Sequence, residues 1–307
     1  MKSVLIAGGS GQIGSYISSK LLAKGYRVYL LSRRELILDE IPTYLWDVEK
    51  GAIDEEAIKT ADYIINLSGA NIGEKRWSAK RKKEILNSRV DSNKLLFEKV
   101  KELNKDLDAF ITSSAVGYYG MKTSDKIFTE EDDSAEDFLG NVCSEWEKAS
   151  DSFEKLGIRT VQIRTGVVLN NGPGALSKMM LPINMYIGSP LGSGEQYVPW
   201  IHIEDLCNIY IKAIEEKSIS GAYNAVAPEY ITNSDFTKIL AQQLNKPLLL
   251  PNIPSFILKL LLGEMSGLAL EGSRVSSGKL TKSGFQFLFR NIESALNDIM
   301  QHHKNII

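Results

Sequence analysis

The chain has 307 residues and a formal net charge of −2, from 36 Lys and Arg against 38 Asp and Glu. Hydrophobic residues make up 43% and charged residues 24%, which is typical of a folded globular protein and excludes disorder as the main state. The near balance of charge argues against a nucleic-acid partner, and no apolar run reaches the roughly 18 residues that a membrane span needs.

The number of cysteines indicates the redox state of the compartment and limits the kinds of metal site that the chain can form. Cys143 and Cys207 are the only two cysteines, which excludes a disulfide scaffold and a four-thiolate zinc site. Two thiols in a chain of this length fit a reducing compartment, and Met1–Ala7 lacks the features of a signal peptide. We therefore expect a cytoplasmic protein with no metal and no membrane contact.

Strands and helices alternate through the first half of the chain. Short apolar runs predict strands at Ser3–Ala7, Arg27–Leu31, Tyr63–Leu67, Asp108–Ser113 and Thr160–Arg164, with another ending near Trp46. Helical spacing of apolar residues predicts intervening helices at 13–22, 55–59, 78–104 and 142–156. This alternation predicts an α/β fold with right-handed crossovers and a parallel sheet.

The pattern changes after Gly166. Glycines and prolines between 172 and 194 break the chain into short elements, and helical spacing returns at Glu204–Glu215 and Asn233–Leu244. The apolar stretch Ser255–Leu262 is too short to cross a bilayer and predicts a core helix or a lid. We therefore separate residues 1–165 from a mixed segment, 166–307, that is not an independent domain.

The first strand runs into a glycine-rich turn, G-x-x-G-x-x-G, which leads into the first helix. Residues without Cβ permit the tight turn and the close approach of a phosphate, and the helix start offers free N–H groups to it. In this context the motif predicts a dinucleotide site, with a purely structural turn as the alternative. The residues expected at the cofactor are Gly8, Ser10, Gly11, Gln12, Ile13 and Gly14.

The end of the second strand indicates which dinucleotide is bound. An acidic residue about 20 residues after the glycines usually holds the ribose 2′-hydroxyl of NAD. This chain has Arg33 and Arg34 instead, and a guanidinium pairs well with a 2′-phosphate. We expect NADP(H), with Arg33 preferred over Arg34 and a solvated basic pair as the alternative. Asp47, at the end of a third strand, is expected either to touch the adenine or to serve in a turn.

Several segments together resemble a known family. The glycine-rich turn, Asn66–Gly69, Ser113–Ala115 and Pro199–His202 resemble an extended short-chain dehydrogenase/reductase. A closer likeness is to the branch called epimerase family proteins, which are similar to NAD-dependent epimerases and dehydratases and carry a C-terminal extension. It rests on Asn66–Asn71, Arg76-Trp77, Ser113–Gly120, Val142-Cys143, Trp146-Glu147, Gly263-Glu264 and Gly272–Val275.

The resemblance covers nearly the whole chain and implies a Rossmann-type doubly wound parallel sheet. Residues 1–165 would form the NADP-binding domain, and 166–307 would add late Rossmann elements and a small C-terminal substrate lobe. It adds Leu67, Ser68 and Gly69 to the cofactor contacts, and it gives Ser114 the position that hydrogen-bonds a substrate oxygen. An unidentified small molecule is the expected partner, bound by a monomer or homodimer.

The superfamily's Tyr-x-x-x-Lys motif is missing. Four-residue spacing puts such a pair on one helical face, where the lysine lowers the pKa of the tyrosine. Counting back from Thr160–Arg164 places the motif near Asn141–Glu145, which has no tyrosine and a glutamate near the lysine position. We expect Tyr118 or Tyr119 as a provisional acid and Glu145 or Glu147 as a base, with plain packing or solvated faces as the alternatives.

Three further residues are candidates for substrate contact. Arg76 and Arg274 would bind an anionic group, and His202 would border the pocket. The alternatives are solvated positions for the arginines and a structural hydrogen bond for His202. Cys143 is either a reactive thiol near a helix start or a small buried residue.

Two functions follow from these observations. The first is an NADP(H)-dependent oxidoreductase or epimerase that acts on a carbonyl or hydroxyl carbon of a small molecule. The second is a non-catalytic NADPH-binding sensor or regulatory protein. The missing Tyr-x-x-x-Lys favours the sensor, whereas Ser114 and the full substrate lobe favour the enzyme.

Overall fold

A computed structural model describes residues 1–34 and 41–304, with side chains up to Gln301. Its strands are β1 (Ser3–Ala7), β2 (Arg27–Ser32), β3 (Thr43–Asp47), β4 (Ala52–Ile53), β5 (Tyr63–Asn66), β6 (Ala109–Ala115), β7 (Ile127–Phe128), β8 (Thr160–Thr165), β9 (Val167–Leu169), β10 (Trp200–His202), β11 (Gly221–Ala225) and β12 (Arg274–Val275). Its helices are α1 (Gln12–Ala23), α2 (Glu55–Thr60), α3 (Ala79–Glu102), α4 (Phe138–Asp151), α5 (Ala175–Asn184), α6 (Ile203–Glu215), α7 (Asn233–Gln243), α8 (Ser255–Leu262), α9 (Gly267–Leu270), α10 (Gly278–Lys282) and α11 (Ile292–Lys304).

Within the described residues, eight strands form one sheet in the order β11-β8-β6-β5-β1-β2-β3-β4. Every neighbouring pair is parallel except β3 with the short β4. The strand order reverses at β1, from which β2 and β5 lie on opposite sides. Ligands of such sheets bind at the carboxyl ends of the strands beside this reversal. The predicted parallel, doubly wound Rossmann-type sheet is confirmed.

Alternating side chains give the sheet two buried faces. Val4 and Ile6 of β1 point to one core, which α1 and α6 cover. Leu5 and Ala7 point to the other core, which contains residues of α2 and α3. Because both faces are buried, the central strands read in the sequence as continuous apolar runs rather than as alternating ones.

The segment after β8 contributes to two places. Its strand β11 pairs with β8 and extends the main sheet. The short β9 and β10 pair with each other, and a separate apolar cluster around the fully buried Trp200 joins α5, α7 and α11. Helix α8 matches its predicted bounds, but none of its side chains is buried.

Helix α4 begins at Phe138, four residues before its predicted start. Asp137 caps it, because its side chain accepts a hydrogen bond of 2.9 Å from the N–H of Gly140. No helix in the described part of the chain combines the length and apolarity needed to cross a membrane. The described side chains, those of residues 1–34 and 41–301, contain no cluster of three metal-ligating groups.

Candidate active site

The glycine-rich turn is closed by contacts that tolerate no side chain. A Cβ on Gly14 would lie 2.5 Å from the Cα of Gly9, and one on Gly8 would lie 3.0 Å from the backbone of Leu67 and Ser68. Gly8 also has a φ of 78°, which side-chain-bearing residues rarely adopt. These contacts bring the turn after β1 against the loop after β5, as expected if both line one cofactor site.

The turn leaves the start of α1 open. Gly11 stands at the N-cap without a side-chain hydrogen bond from the described residues, and Ser10, Gly11 and Gln12 are all exposed. Ile13, in the first turn of α1, is partly buried and packs against the core that α1 covers. The first N–H groups of α1 are therefore available to a pyrophosphate, so the residues present fit a bound dinucleotide.

Gln12 also links the turn to the second lobe. Its Oε1 accepts a hydrogen bond of 3.0 Å from the side-chain amide of Asn170, in the loop after β9. A Cβ on Gly172 would lie 2.6 Å from Gln12 Nε2. The loop after β9 therefore lies directly beside the turn. Both border the region at the carboxyl ends of the strands beside β1, which we call the cleft.

The ends of β2 and β3 carry the residues predicted to hold the adenosine half. Arg33 and Arg34 follow β2 and are both exposed. Asp47 ends β3, and its Oδ1 accepts hydrogen bonds of 3.1 Å from the N–H groups of Glu49 and Lys50. These backbone bonds and the Lys50 ammonium hold the pKa of Asp47 below its usual value. Asp47 thus has the turn role considered from the sequence, and its adenine contact stays a prediction.

The loop after β5 is held by one amide. Asn66 accepts hydrogen bonds from the N–H and hydroxyl of Ser68, and its Nδ2 donates to Ser92 and Asn93 of α3. Leu67, Ser68 and Gly69 are therefore fixed against both α3 and the glycine-rich turn. A fixed loop of this kind suits a binding surface because it loses little conformational freedom when a ligand binds.

Ser114 is turned into the interior beside Glu147, and its contact with a substrate stays a prediction. It is 3% exposed, and its hydroxyl donates a hydrogen bond of 2.6 Å to Glu147 Oε1. Arg164 donates two hydrogen bonds to the same carboxylate, from Nε at 2.9 Å and from Nη2 at 2.8 Å. Burial alone would lower the pKa of Arg164, but the hydrogen bonds it donates to the Glu147 carboxylate raise it overall. Glu147 is accordingly a buried ion-pair partner and is unsuited to act as a free base.

The two tyrosines after β6 differ in their exposure to solvent. Tyr119 is 3% exposed; its hydroxyl donates to Asn224 Oδ1 at 2.7 Å and accepts from Arg164 Nη1 at 3.0 Å. Burial raises the pKa of Tyr119 to about 12, and both hydroxyl contacts are made within the protein, so its role as an acid stays a prediction. Tyr118 is half-buried, and its ring centre lies 3.5 Å from the Arg164 guanidinium. Tyr118 is the more exposed of the two provisional acids.

The face of α4 that meets the sheet carries Leu139 and Cys143 instead of Tyr and Lys. Both are buried, and both approach Gly117, in the turn after β6, to within 3.4–3.7 Å of the position that a Cβ there would occupy. The expected location, Asn141–Glu145, is wrong: Asn141 is exposed, and Glu145 pairs with Lys148 at the surface. Burial raises the pKa of Cys143 to about 12, so this thiol is not a reactive one.

The three predicted substrate residues lie in different surroundings. Arg76 is exposed beside Gly263, at the end of α8. Arg274, on β12, donates to the carbonyl of Asp125 and lies over the Tyr197 ring at 5.3 Å. Neither position contradicts a role in binding an anion.

His202 makes the structural hydrogen bond considered from the sequence, and its contact with substrate stays a prediction. It is 2% exposed, and its Nδ1 accepts a hydrogen bond of 3.2 Å from the Glu204 N–H at the start of α6. Its Nε2 lies 3.3 Å from Asp298 Oδ2 of α11, and its ring packs against that of Phe289 at an angle of 35°. These contacts turn the side chain into the interior.

Sequence reasoning missed Arg89, which lines the cleft. It lies on α3, four residues after the buried Ile85, so it falls on the apolar stripe of the helix. A charged residue at such a core position was the available signal. Its Cζ lies 3.1 Å from the position that a Cβ on Gly69 would take.

Comparison with known proteins places this site in a family. Residues 4–147 match the model of the NAD dependent epimerase/dehydratase family, and residues 253–299 match a domain of unknown function. The epimerase family protein YfhF of Bacillus subtilis is 37% identical over 99% of this chain and its own full length. The chain belongs to the epimerase family proteins.

Solved structures of this family agree with the fold. The crystal structure of human epimerase family protein SDR39U1 with NADPH matches with a TM-score of 0.86 and 32% identity, covering 97% of this chain and 99% of that one. A nucleoside-diphosphate sugar epimerase from Corynebacterium glutamicum matches with a TM-score of 0.80 and 32% identity, covering 98% of this chain and 58% of that one. The predicted resemblance to the extended short-chain dehydrogenase/reductases is confirmed.

Proposed function

We propose that this chain binds NADP(H) and acts as a reductase or epimerase at a carbonyl or hydroxyl carbon of a small molecule. The observation that carries the proposal is the turn at Gly8–Gly14, which is packed too tightly for side chains and leaves the start of α1 open. The exposed Arg33 and Arg34 at the end of β2 support the phosphorylated dinucleotide. A human relative of 32% identity has a structure with NADPH.

The chain's own groups would bind and orient the reactants and move one proton. When bound, the nicotinamide supplies or accepts the hydride at the substrate carbon. The substrate oxygen then gains or loses a proton, and we assign that transfer to the Tyr118 hydroxyl. Tyr118 makes no side-chain hydrogen bond to the described residues, and the contact with Arg164 fixes the position of its ring. Its hydroxyl is therefore free to bond a substrate.

A specific observation also favours the second function, an NADPH-binding sensor. Leu139 and Cys143 occupy the face of α4 on which a Tyr-x-x-x-Lys pair would meet the sheet, and Ser114 is committed to Glu147. A chain that had given up proton transfer would retain the cofactor turn and lose these groups. The sensor therefore differs from the enzyme only in turnover.

The test is to mix the protein with NADPH and a panel of aldehydes, quinones and sugars and to follow nicotinamide absorbance. If the protein is an enzyme, we expect turnover of at least one compound, at a rate that is strongly reduced in the Tyr118→Phe variant. Tight NADPH binding without turnover across the panel would favour the sensor instead. Absence of NADPH binding would contradict both functions.

We also propose a cytoplasmic location and a monomeric or homodimeric state. Cys143 and Cys207 are unbridged and buried, as suits a reducing compartment. Cell fractionation and light scattering of the purified protein test these two proposals.

A further inference from the structure

Arg89 carries a positive charge that no carboxylate of the described residues neutralises. No Asp or Glu oxygen of residues 1–34 and 41–301 lies within 4 Å of its guanidinium, whereas Arg81 on the same helix pairs with Glu84 and Glu74. Its one hydrogen bond runs from Nη1 to the carbonyl of Ile85, at 2.9 Å. A guanidinium in a protein stays protonated, so this charge is permanent.

The surroundings of Arg89 hold the guanidinium in place and partly remove it from water. Its Cζ lies 5.0 Å from the ring centre of Trp146 on α4, and burial lowers its pKa. The side chain is half-buried, so Nε and Nη2 keep access to solvent. Partly buried charges gain more from a partner than exposed ones do, because water screens them less.

Arg89 lies on α3, and its position relative to the sheet places it on the substrate side of the cleft. The pyrophosphate site is at β1, and the basic residues after β2 mark the adenosine half. Arg89 lies beside Gly69, after β5, on the opposite side of β1. Its neighbours there are the Trp146 ring and the Cys143 thiol, which itself approaches the turn that follows β6. This is the half of the cleft in which a reacting carbon would meet the nicotinamide.

We propose that Arg89 binds an oxyanion of the substrate, a carboxylate or a phosphate, and so selects an anionic small molecule for this site. The proposal rests on the proposed function, because it assumes a dinucleotide in the neighbouring half of the cleft. The planar guanidinium offers paired donors that fit either group. Trp146 and the Ile85 carbonyl fix its orientation before the ligand arrives.

The test uses the full chain saturated with NADPH and two probes, oxalate and inorganic phosphate, titrated by calorimetry. Arg89→Gln removes the positive charge. Arg89→Lys keeps the charge but removes the paired N–H donors of the planar guanidinium. Lys83→Gln is the matched control, since Lys83 is exposed on the same helix and the net charge changes equally. Thermal melting verifies that each variant is folded. The affinity for NADPH itself is measured separately in every variant.

The proposal predicts saturable binding of at least one probe to the wild-type complex, weakened tenfold or more in Arg89→Gln and less in Arg89→Lys. Lys83→Gln should bind like the wild type, and all variants should keep their affinity for NADPH. The stronger of the two probes identifies the anion class. No binding of either probe, or binding unchanged in Arg89→Gln, would overturn the proposal. A tenfold loss of NADPH affinity in Arg89→Gln would overturn it too, by assigning Arg89 to the cofactor. Failure of the wild type to bind NADPH would instead refute the proposed function.

Discussion

Ser114 donates a hydrogen bond of 2.6 Å to Glu147, and this contact holds the Ser114 side chain in the interior. The same carboxylate is bound by Arg164, whose Nη1 reaches on to the hydroxyl of Tyr119. Four polar side chains therefore form one buried network between β6, β8 and α4. The network holds the turn that carries Tyr118, so it positions the site without belonging to it.

Replacing Glu147 with Gln should destabilise the fold strongly. The change leaves Arg164 buried without its carboxylate, and breaking a buried pair costs about 3–5 kcal/mol. Ser114→Ala removes only one hydrogen bond and should cost about 1–3 kcal/mol. Urea unfolding measures both, with the surface variant Glu145→Gln expected within about 0.5 kcal/mol of the wild type. A smaller loss for Glu147→Gln than for Ser114→Ala would contradict the network.

Tyr118→Phe and Tyr119→Phe should separate activity from stability. On a substrate found by the panel, Tyr118→Phe should lower kcat by about two to four orders of magnitude, the usual contribution of a positioned acid or base. Tyr119→Phe should lower the melting temperature, because it removes the hydroxyl between Arg164 and Asn224. Steady-state kinetics and thermal melting distinguish the two effects. The reverse pattern would move the proton-transfer role to Tyr119.

Arg33→Ala should weaken NADPH binding by about one to two orders of magnitude and leave NADH binding unchanged. The factor follows from the loss of one charged hydrogen bond, about 1.5–3 kcal/mol. Arg34→Ala is the neighbouring comparison and should have the smaller effect. Titration with both dinucleotides measures the four affinities. Equal losses for NADPH and NADH would remove Arg33 from the 2′-phosphate site.

Gly14→Ala should abolish dinucleotide binding. The added methyl would lie 2.5 Å from the Cα of Gly9, so the turn and the start of α1 must separate. Gly73→Ala is the matched control, because its nearest neighbours would lie at 3.9 and 4.0 Å, which is ordinary contact. Calorimetry with NADPH is the measurement. Wild-type affinity in Gly14→Ala would show that the turn does not bind the cofactor.

Neither thiol should react with a disulfide reagent in the native protein at pH 8. Burial raises the pKa of Cys143 and of Cys207 to about 12, from an ordinary 9.0. Both should react once urea unfolds the chain. The unfolded chain ionises its thiols first, so stability should also decline as the pH rises from about 9 towards 12. Rapid labelling of one thiol in the folded protein would contradict the buried placement.

The sequence predicted the sheet well because its strands are buried on both faces and read as unbroken apolar runs. Ser3–Ala7 and Ser255–Leu262 match their predicted bounds, and the glycine turn lies between a strand and a helix as expected. Helix α4 begins four residues before its predicted start, although Leu139 in its first turn already lies on the apolar face with Val142 and Trp146. The residue type at 137 was the readable signal for the earlier start.

Side-chain direction could not be read from the sequence at the ends of the strands. Ser113 and Ser114 are adjacent and point to opposite faces, the first to Tyr210 and the second to Glu147. A strand alternates with a period of two, so a shift of one residue reverses every assignment. The partners of His202 and Arg164 lie far along the chain, and their contacts depend on packing that no local pattern encodes.

The most direct measurement is calorimetric titration of the wild-type protein with NADPH and, separately, with NADH. We predict one binding site, with NADPH at least about tenfold tighter than NADH because a guanidinium after β2 meets the 2′-phosphate. Absence of heat with both dinucleotides in a folded sample would contradict the claim that the turn at Gly8–Gly14 holds this cofactor.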